Sequence, residues 1–328
     1  MSDTAQATRE AIETVWRMES PRLLGGLVRM VRDLGTAEDL AQEALLAALE
    51  RWPSTGVPEN PGAWLMATAK NRAIDELRRE RMRERRHGEL AHHAAALDRA
   101  SSDAAAIEAA IDDEVGDDVL RLMLVACHPV LSKEARVALA LRLLGGLSVE
   151  EIARAFLSTP QAIYQRITRA KRTLSEARVP FDVPRGEALA ARLSSVLEAI
   201  YLVFNEGYAA TRGDDWMRPA LCEEALRLGR ILAERVPAHA EAHGLVALME
   251  LQASRLRARS DARGEPVLLL DQDRARWDRL LIRRGLAALA RAETLAQPLG
   301  PYALQAAIAA CHARATHAAQ TDWARIVA

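Results

Sequence analysis

The sequence predicts an all-α protein of several helical bundles joined by linkers, and three observations carry that prediction. Apolar residues recur at helical spacing through most of the chain, and the one β-like run is the short PVLLL at 266–270. Hydrophobic residues are 50% of the 328 but aromatics only 4%, so the core is drawn from Leu, Ala, Val and Ile, which suits helix-on-helix packing. Turn-rich joints such as STGVPENPG (54–62) punctuate the helical runs. The length suits about two or three domains.

The first block is expected over 8–86. Thr36, with Asp39 three residues on, reads as an approximate capping box, and Leu40, Ala44, Ala47 and Ala48 form the buried stripe of the helix it starts. Glu38, Asp39, Gln42 and Glu43 fall on or beside its outer face, and Trp52-Pro53 is expected to end it. Asn60 and Pro61 then supply a cap and first residue for a helix running through WLMATAKNRAIDELRRERMRERR. On that helix Asn71, Asp75, Arg78 and Arg79 share one side, with Trp64 two turns earlier. A basic helix with a nearby aromatic and a preceding loop suits gripping bases pulled from a stack. A salt-bridged, solvated helix is the bland alternative, and the favourite when this stretch is taken alone.

The net charge of −1 hides an uneven distribution. Residues 70–86 hold eight basic and four acidic side chains, whereas 98–118 hold eight acidic residues against Arg99 alone. The joint over 87–118 therefore reads as an acidic tether able to shield basic faces when nucleic acid is absent. Nearly all positive charge is arginine, which grips phosphate and carboxylate bidentately.

The second block, 119–178, contains LSVEEIARAFLSTPQAIYQRITRAKRTL. Ser148 and Glu151 form a capping box, and Val149, Ile152, Ala153 and Phe156 form a buried face. Leu157-Ser158 makes the turn, where a glycine often stands in such units, and Thr159-Pro160 opens the next helix. Ile163, Ile167, Ala170 and Leu174 face inward. Gln161, Gln165, Thr168 and Arg172 lie opposite, flanked by Tyr164, Arg169 and Lys171, and Arg166 adds to the charge. Amides and arginines near the start of a second helix suit major-groove reading. An ordinary αα-hairpin with a basic face is the competing reading.

Residues 179–186 are a Pro-punctuated linker. The third block, 187–328, runs helix after helix with breaks near Gly207, Gly213, Pro237, Gly264, Pro298 and Gly300, which suggests stacked hairpins of tetratricopeptide-like (TPR-like) type. It ends in TDWARIVA without a cap, so either the last helix frays or the natural chain continues past Ala328.

Together, TAEDLAQEALLAALERW, PGAWLMATAKNRAIDELRR, an acidic linker and LSVEEIARAF…IYQRITRAKRTL resemble bacterial sigma factors of the extracytoplasmic-function (ECF) group, over roughly 10–178. CHPVLS, FNEGYAAT and LLLDQDRARWD resemble the subgroup with a tetratricopeptide-like C-terminal extension. The resemblance implies sigma domain 2 over 8–86, sigma domain 4 over 119–178, and a non-enzymatic function of directing core RNA polymerase to promoter DNA. It implies polymerase contacts at Asp39, Gln42 and Glu43. It implies −10 contacts at Trp64, Asn71, Asp75, Arg78 and Arg79, with a flipped base captured by the loop 53–60. For the −35 element it implies Gln161, Tyr164, Gln165, Arg166 and Arg169, with Lys171 and Arg172 on phosphate. The extension would regulate in cis through contact with the sigma domains or linker, with Asn205, Glu206, Tyr208, Asp271, Asp273, Arg274 and Trp277 as candidate residues. A helical scaffold with a simple DNA-binding module that does not bind polymerase is the alternative.

Other chemistry is poorly supported. The three cysteines include no C-x-x-C pair, so neither a disulfide framework nor structural zinc is expected. His239 and His243 lack a convincing third metal ligand, and no cofactor is implied. Asp271, Asp273, Arg274 and Asp278 read as caps and an ion-pair network around Trp277, and Gly207 as the residue ending a helix. With no signal-peptide pattern and no apolar run of spanning length, a soluble cytoplasmic protein without membrane contact is expected.

Overall fold

The computed structural model describes residues 3–88, 115–209, 217–261, 263–296 and 298–327. Most of the acidic tether lies outside these. The described residues form helices and irregular joints without a strand, and PVLLL is irregular apart from a single bridge between Ser260 and Pro266. The chain divides into two compact units, Met1–Ile152 with Pro160–Arg192, and Ala153–Thr159 with Leu193–Ala328. No described helix is long and apolar enough to cross a membrane.

The first unit holds α1 (Asp3–Val31), α2 (Leu34–Thr55), α3 (Pro61–Gly88), α4 (Val115–Ala126), α5 (Lys133–Leu143), most of α6 (Val149–Ala155) and α7 (Pro160–Glu176). α1 is central and packs on α2, α3 and α4. Leu23, Leu27, Ala41, Ala44, Leu65 and Ala69 are among the residues buried in this unit, as the apolar spacing requires. Gly25 lets α1 and α4 approach closely, since a Cβ there would lie 2.8 Å from the Asp118 carbonyl oxygen.

Three local expectations are corrected. The cap of α2 is Asp33, whose carboxylate accepts from the Thr36 N–H at 2.7 Å and the Thr36 hydroxyl at 2.8 Å, so Thr36 lies in the first turn. Pro53 does not end α2. The helix continues to Thr55, and its Gly56 cap adopts φ 83°. α3 runs two residues into the stretch assigned to the tether, to Gly88, and α4 begins about one turn inside its other end, at Val115. Asn60 does cap α3, accepting from Ala63 N–H at 3.0 Å.

The second unit is built on α8 (Gly186–Tyr208), α9 (Pro219–Arg235), α10 (Ala240–Ala253), α11 (Arg279–Leu295), α12 (Pro301–Arg314) and α13 (Trp323–Val327). α10 is its axis and packs against α9, α11 and α12. Gly244 permits the approach of α12, where a Cβ would meet Ala303 N at 2.7 Å. Gly207 is not a terminator. It is buried inside α8, and a Cβ there would meet Cys222 N at 2.7 Å, so the glycine serves close packing. His239 caps α10 through Nδ1, accepting from Ala242 N–H at 3.2 Å, and the His243 ring bonds the Pro237 carbonyl. All three cysteines are buried, and burial pushes Cys127 and Cys222 up to about 12, which leaves them as packed, unreactive thiols.

Candidate nucleic-acid interface

The helix pair α6–α7 forms as its sequence indicates. Ser148 N–H donates to Glu151 at 2.8 Å and Glu151 N–H donates to the Ser148 hydroxyl at 3.1 Å, a closed capping box. Leu157 adopts φ 44° in the turn, the left-handed conformation that glycine takes more easily. Ser158 N–H then reaches back to the Ala153 carbonyl at 2.9 Å and closes the end of α6. In the second unit Arg218 Nη1 donates to the Ala155 carbonyl and pairs with Glu206.

On α7, Ile163, Ile167, Ala170 and Leu174 are buried. Gln161, Tyr164, Gln165 and Arg169 are exposed along the opposite face, and Arg166 is half-buried. An exposed row of two amides, a phenol and an arginine can donate and accept at base edges. The two remaining cations behave differently. Arg172 Nε holds Glu176 at 2.6 Å on the exposed face, and Lys171 turns inward to the carboxylate of Glu38 on α2.

That inward contact is the feature sequence reading missed. Glu38, expected on or beside the outer face of α2, is buried, with its side chain 8% exposed. It accepts from Arg142 Nε at 2.9 Å and from Gln42 Nε2 at 3.2 Å, and pairs with Lys171. Burial raises its carboxyl, but Lys171 and Arg142 outweigh that effect and hold it below the ordinary carboxylate value. Two further ion pairs join the same segments, Arg17 with Glu151 at 2.6 Å and Arg29 with the buried Asp118 at 3.5 Å. Gly146, at φ 64°, fits against Ser20 and Arg17. The Glu38–Gln42 spacing was visible as an i,i+4 pair. Its burial depends on residues 104 positions away, which no local pattern reports.

The remaining positions on α2 and α3 are open or lightly paired. Asp39 is exposed, and Glu43 pairs with Arg72 on α3 at 3.1 Å. Trp64 stands edge-on to the buried Trp52 with ring centroids 5.3 Å apart. Asn71 is exposed, Asp75 pairs with Arg78 at 3.7 Å, and Arg79 with Glu76 at 3.1 Å. Such exposed pairs contribute little to stability and exchange readily for phosphate.

In the second unit Tyr208 stacks on Phe204 with Arg259 over its ring at 3.6 Å. Asp273 caps a short turn and Asp278 caps α11, as expected. The expected ion-pair network around Trp277 is absent among the described residues. Arg274 is buried and donates instead to the His312 and Ala315 carbonyls, both at 2.8 Å, and to the Thr321 hydroxyl at 3.0 Å.

Comparison with known proteins follows the same division. The family Sigma-70 region 2 matches residues 15–83, Sigma-70, region 4 matches 121–174, and a family of unknown function (DUF6596) matches 192–293. An uncharacterized protein of Rhizobium meliloti is 46% identical over 306 residues, covering 93% of this chain and 71% of that protein. The ECF RNA polymerase sigma factor SigK of Mycobacterium ulcerans is 30% identical over 181 residues, 52% of this chain and 87% of SigK. The RNA polymerase sigma factor CarQ of Myxococcus xanthus is 33% identical over 172 residues, 51% of this chain and 89% of CarQ. No solved structure matches.

Proposed function

Because the chain belongs to the ECF family of RNA polymerase sigma factors, which direct RNA polymerase to promoters, we propose that its first unit is a closed form of the promoter-reading apparatus and must open to work. The observation that carries this reading is the pairing of Glu38 on α2 with Arg142 and Lys171. The −10 and −35 elements are about 25 base pairs apart, roughly 85 Å of B-form DNA at ~3.4 Å per pair. Two domains in ion-pair contact, each about 30 Å across, cannot reach both.

In the open form, Asp39, Gln42 and Glu43 dock on polymerase, and Trp64, Asn71, Asp75, Arg78 and Arg79 engage the −10 strand. Gln161, Tyr164, Gln165, Arg166 and Arg169 read the −35 element, with Lys171 and Arg172 on phosphate. Opening frees Lys171 and Arg142 from Glu38. Two modest DNA-binding modules on one chain gain avidity that neither has alone. No catalytic step is assigned to the protein. Regulation in cis by the C-terminal unit is part of the same proposal. Asn205, Glu206, Tyr208, Asp271, Asp273, Arg274 and Trp277 remain its candidate contacts.

The direct test uses holoenzyme and −35 variants of promoter DNA. Gln165→Ala or Arg169→Ala is expected to cost about 1–3 kcal/mol and to relax base preference at one position. Arg172→Ala is expected to weaken all sequences alike and lower the salt slope by about 0.9. Wild-type preference at every −35 position in Gln165→Ala and Arg169→Ala would remove α7 from base reading.

A further inference from the structure

In the second unit two arginines, Arg255 and Arg274, meet at Trp277. Arg255, just past α10, gives both hydrogens of Nη2 to the Tyr208 hydroxyl and the Gln252 side-chain oxygen. It lies 5.8 Å from the Tyr208 ring centroid and 5.9 Å from that of Trp277. Arg274 approaches the same Trp277 at 5.1 Å. Among the described residues no carboxylate pairs with Arg255 or Arg274. Arg274 is buried and Arg255 half-buried, and such cations are ordinarily paired, so among the described residues this arrangement lacks a counter-charge.

Beside Arg255 lies a cavity of about 280 Å³. Leu248, Leu251, Leu269 and Ile308 supply apolar wall, and Arg255 and His312 supply the polar end. His312 Nδ1 is buried with no hydrogen-bond partner, although its ring stacks edge-on with Trp323. Burial first, and then Arg274 and Arg255, lower the His312 value, so an anion here would relieve two cations and the imidazole together. Nη1 and Nε of Arg255 retain donors for a planar, bidentate acceptor. The volume corresponds to roughly nine waters, or a ligand of about ten non-hydrogen atoms.

We propose that this cavity binds a small apolar carboxylic acid, its carboxylate on Arg255 at the end where His312 lies and its hydrocarbon body against Leu248, Leu251, Leu269 and Ile308. The site is concave, mostly apolar and provided with a few convergent polar groups, as small-molecule sites are. The apolar walls favour a hydrocarbon body over a polar nucleotide, and a cation meets like charge. The inference deepens the regulatory reading of the C-terminal unit by giving it a ligand class. Binding is read without polymerase, so its failure is distinguishable from failure of that reading.

The experiment is calorimetric titration of the full chain with octanoate and, separately, with 1-octanol. Saturable one-to-one binding of octanoate is expected, with octanol at least tenfold weaker. Arg255→Gln should weaken octanoate tenfold or more by removing the cation. Ala309→Leu, which fills the cavity without touching charge, should do the same, and it decides the matter where Arg255→Gln fails to fold. No saturable octanoate binding at millimolar concentration, equal binding of octanol, or unchanged affinity in Ala309→Leu would overturn the proposal.

Discussion

Glu38→Gln is expected to open the first unit, with a larger radius of gyration in solution scattering than the wild type. The substitution keeps the side-chain shape and removes the charge that faces Arg142 at 2.9 Å and Lys171. Removing one member of a buried ion pair costs about 3–5 kcal/mol, because its partner is left uncompensated. The more exposed Arg17–Glu151 pair contributes at most about 1 kcal/mol, and Arg29–Asp118 joins α1 and α4 without touching the α2–α7 contact, so neither replaces it. The sign of the pH effect follows from the lowered Glu38 value. Its stabilisation is complete above the ordinary carboxylate range and is lost as pH falls through the lowered folded value. Acidification should therefore expand the wild-type unit and leave Glu38→Gln comparatively indifferent. An unchanged radius in Glu38→Gln, with a wild-type pH profile, would show that the carboxylate does not hold the unit closed.

The second large effect lies one position along the same helix and has the opposite sign for function. Asp39→Ala combined with Glu43→Ala should cut affinity for core polymerase by about tenfold to a hundredfold, or roughly 1.4–2.8 kcal/mol. Both side chains are exposed, so the fold should survive. Glu38→Gln should instead bring polymerase on faster, since less of the population waits for opening. Stopped-flow association with core polymerase separates the two. Wild-type affinity in the double variant would remove this face of α2 from the polymerase contact.

The legible and illegible parts of the chain divide along physical lines. Helical periodicity placed Leu40, Ala44, Ile163, Ile167 and Leu174 in the core, and all are buried. Capping chemistry placed the starts of α3, α6 and α7, because a cap is settled within four residues of sequence. Thr36 was misread because Asp33, three residues earlier, offers the better acceptor to the same turn. Pro53 was misread as a stop, although a proline within the last turn removes little from the hydrogen-bond ladder. The burial of Glu38 and the meeting of Arg255 and Arg274 at Trp277 were not legible. Each arises from segments far apart in sequence, and side-chain type alone made them look like ordinary surface charges. The family motifs covered the DNA-reading helix well, whereas they carried nothing about how Lys171 is engaged before DNA arrives.

The most direct measurement is transcription in vitro from the promoter upstream of the protein's own coding sequence. Core polymerase would be assayed alone, with the full chain, and with residues 1–182. Specific transcripts are expected only when the protein is added, and the truncated chain should differ from the full one in yield. Polymerase that fails to bind the full chain, and gives no transcript with it, would contradict the account at its centre.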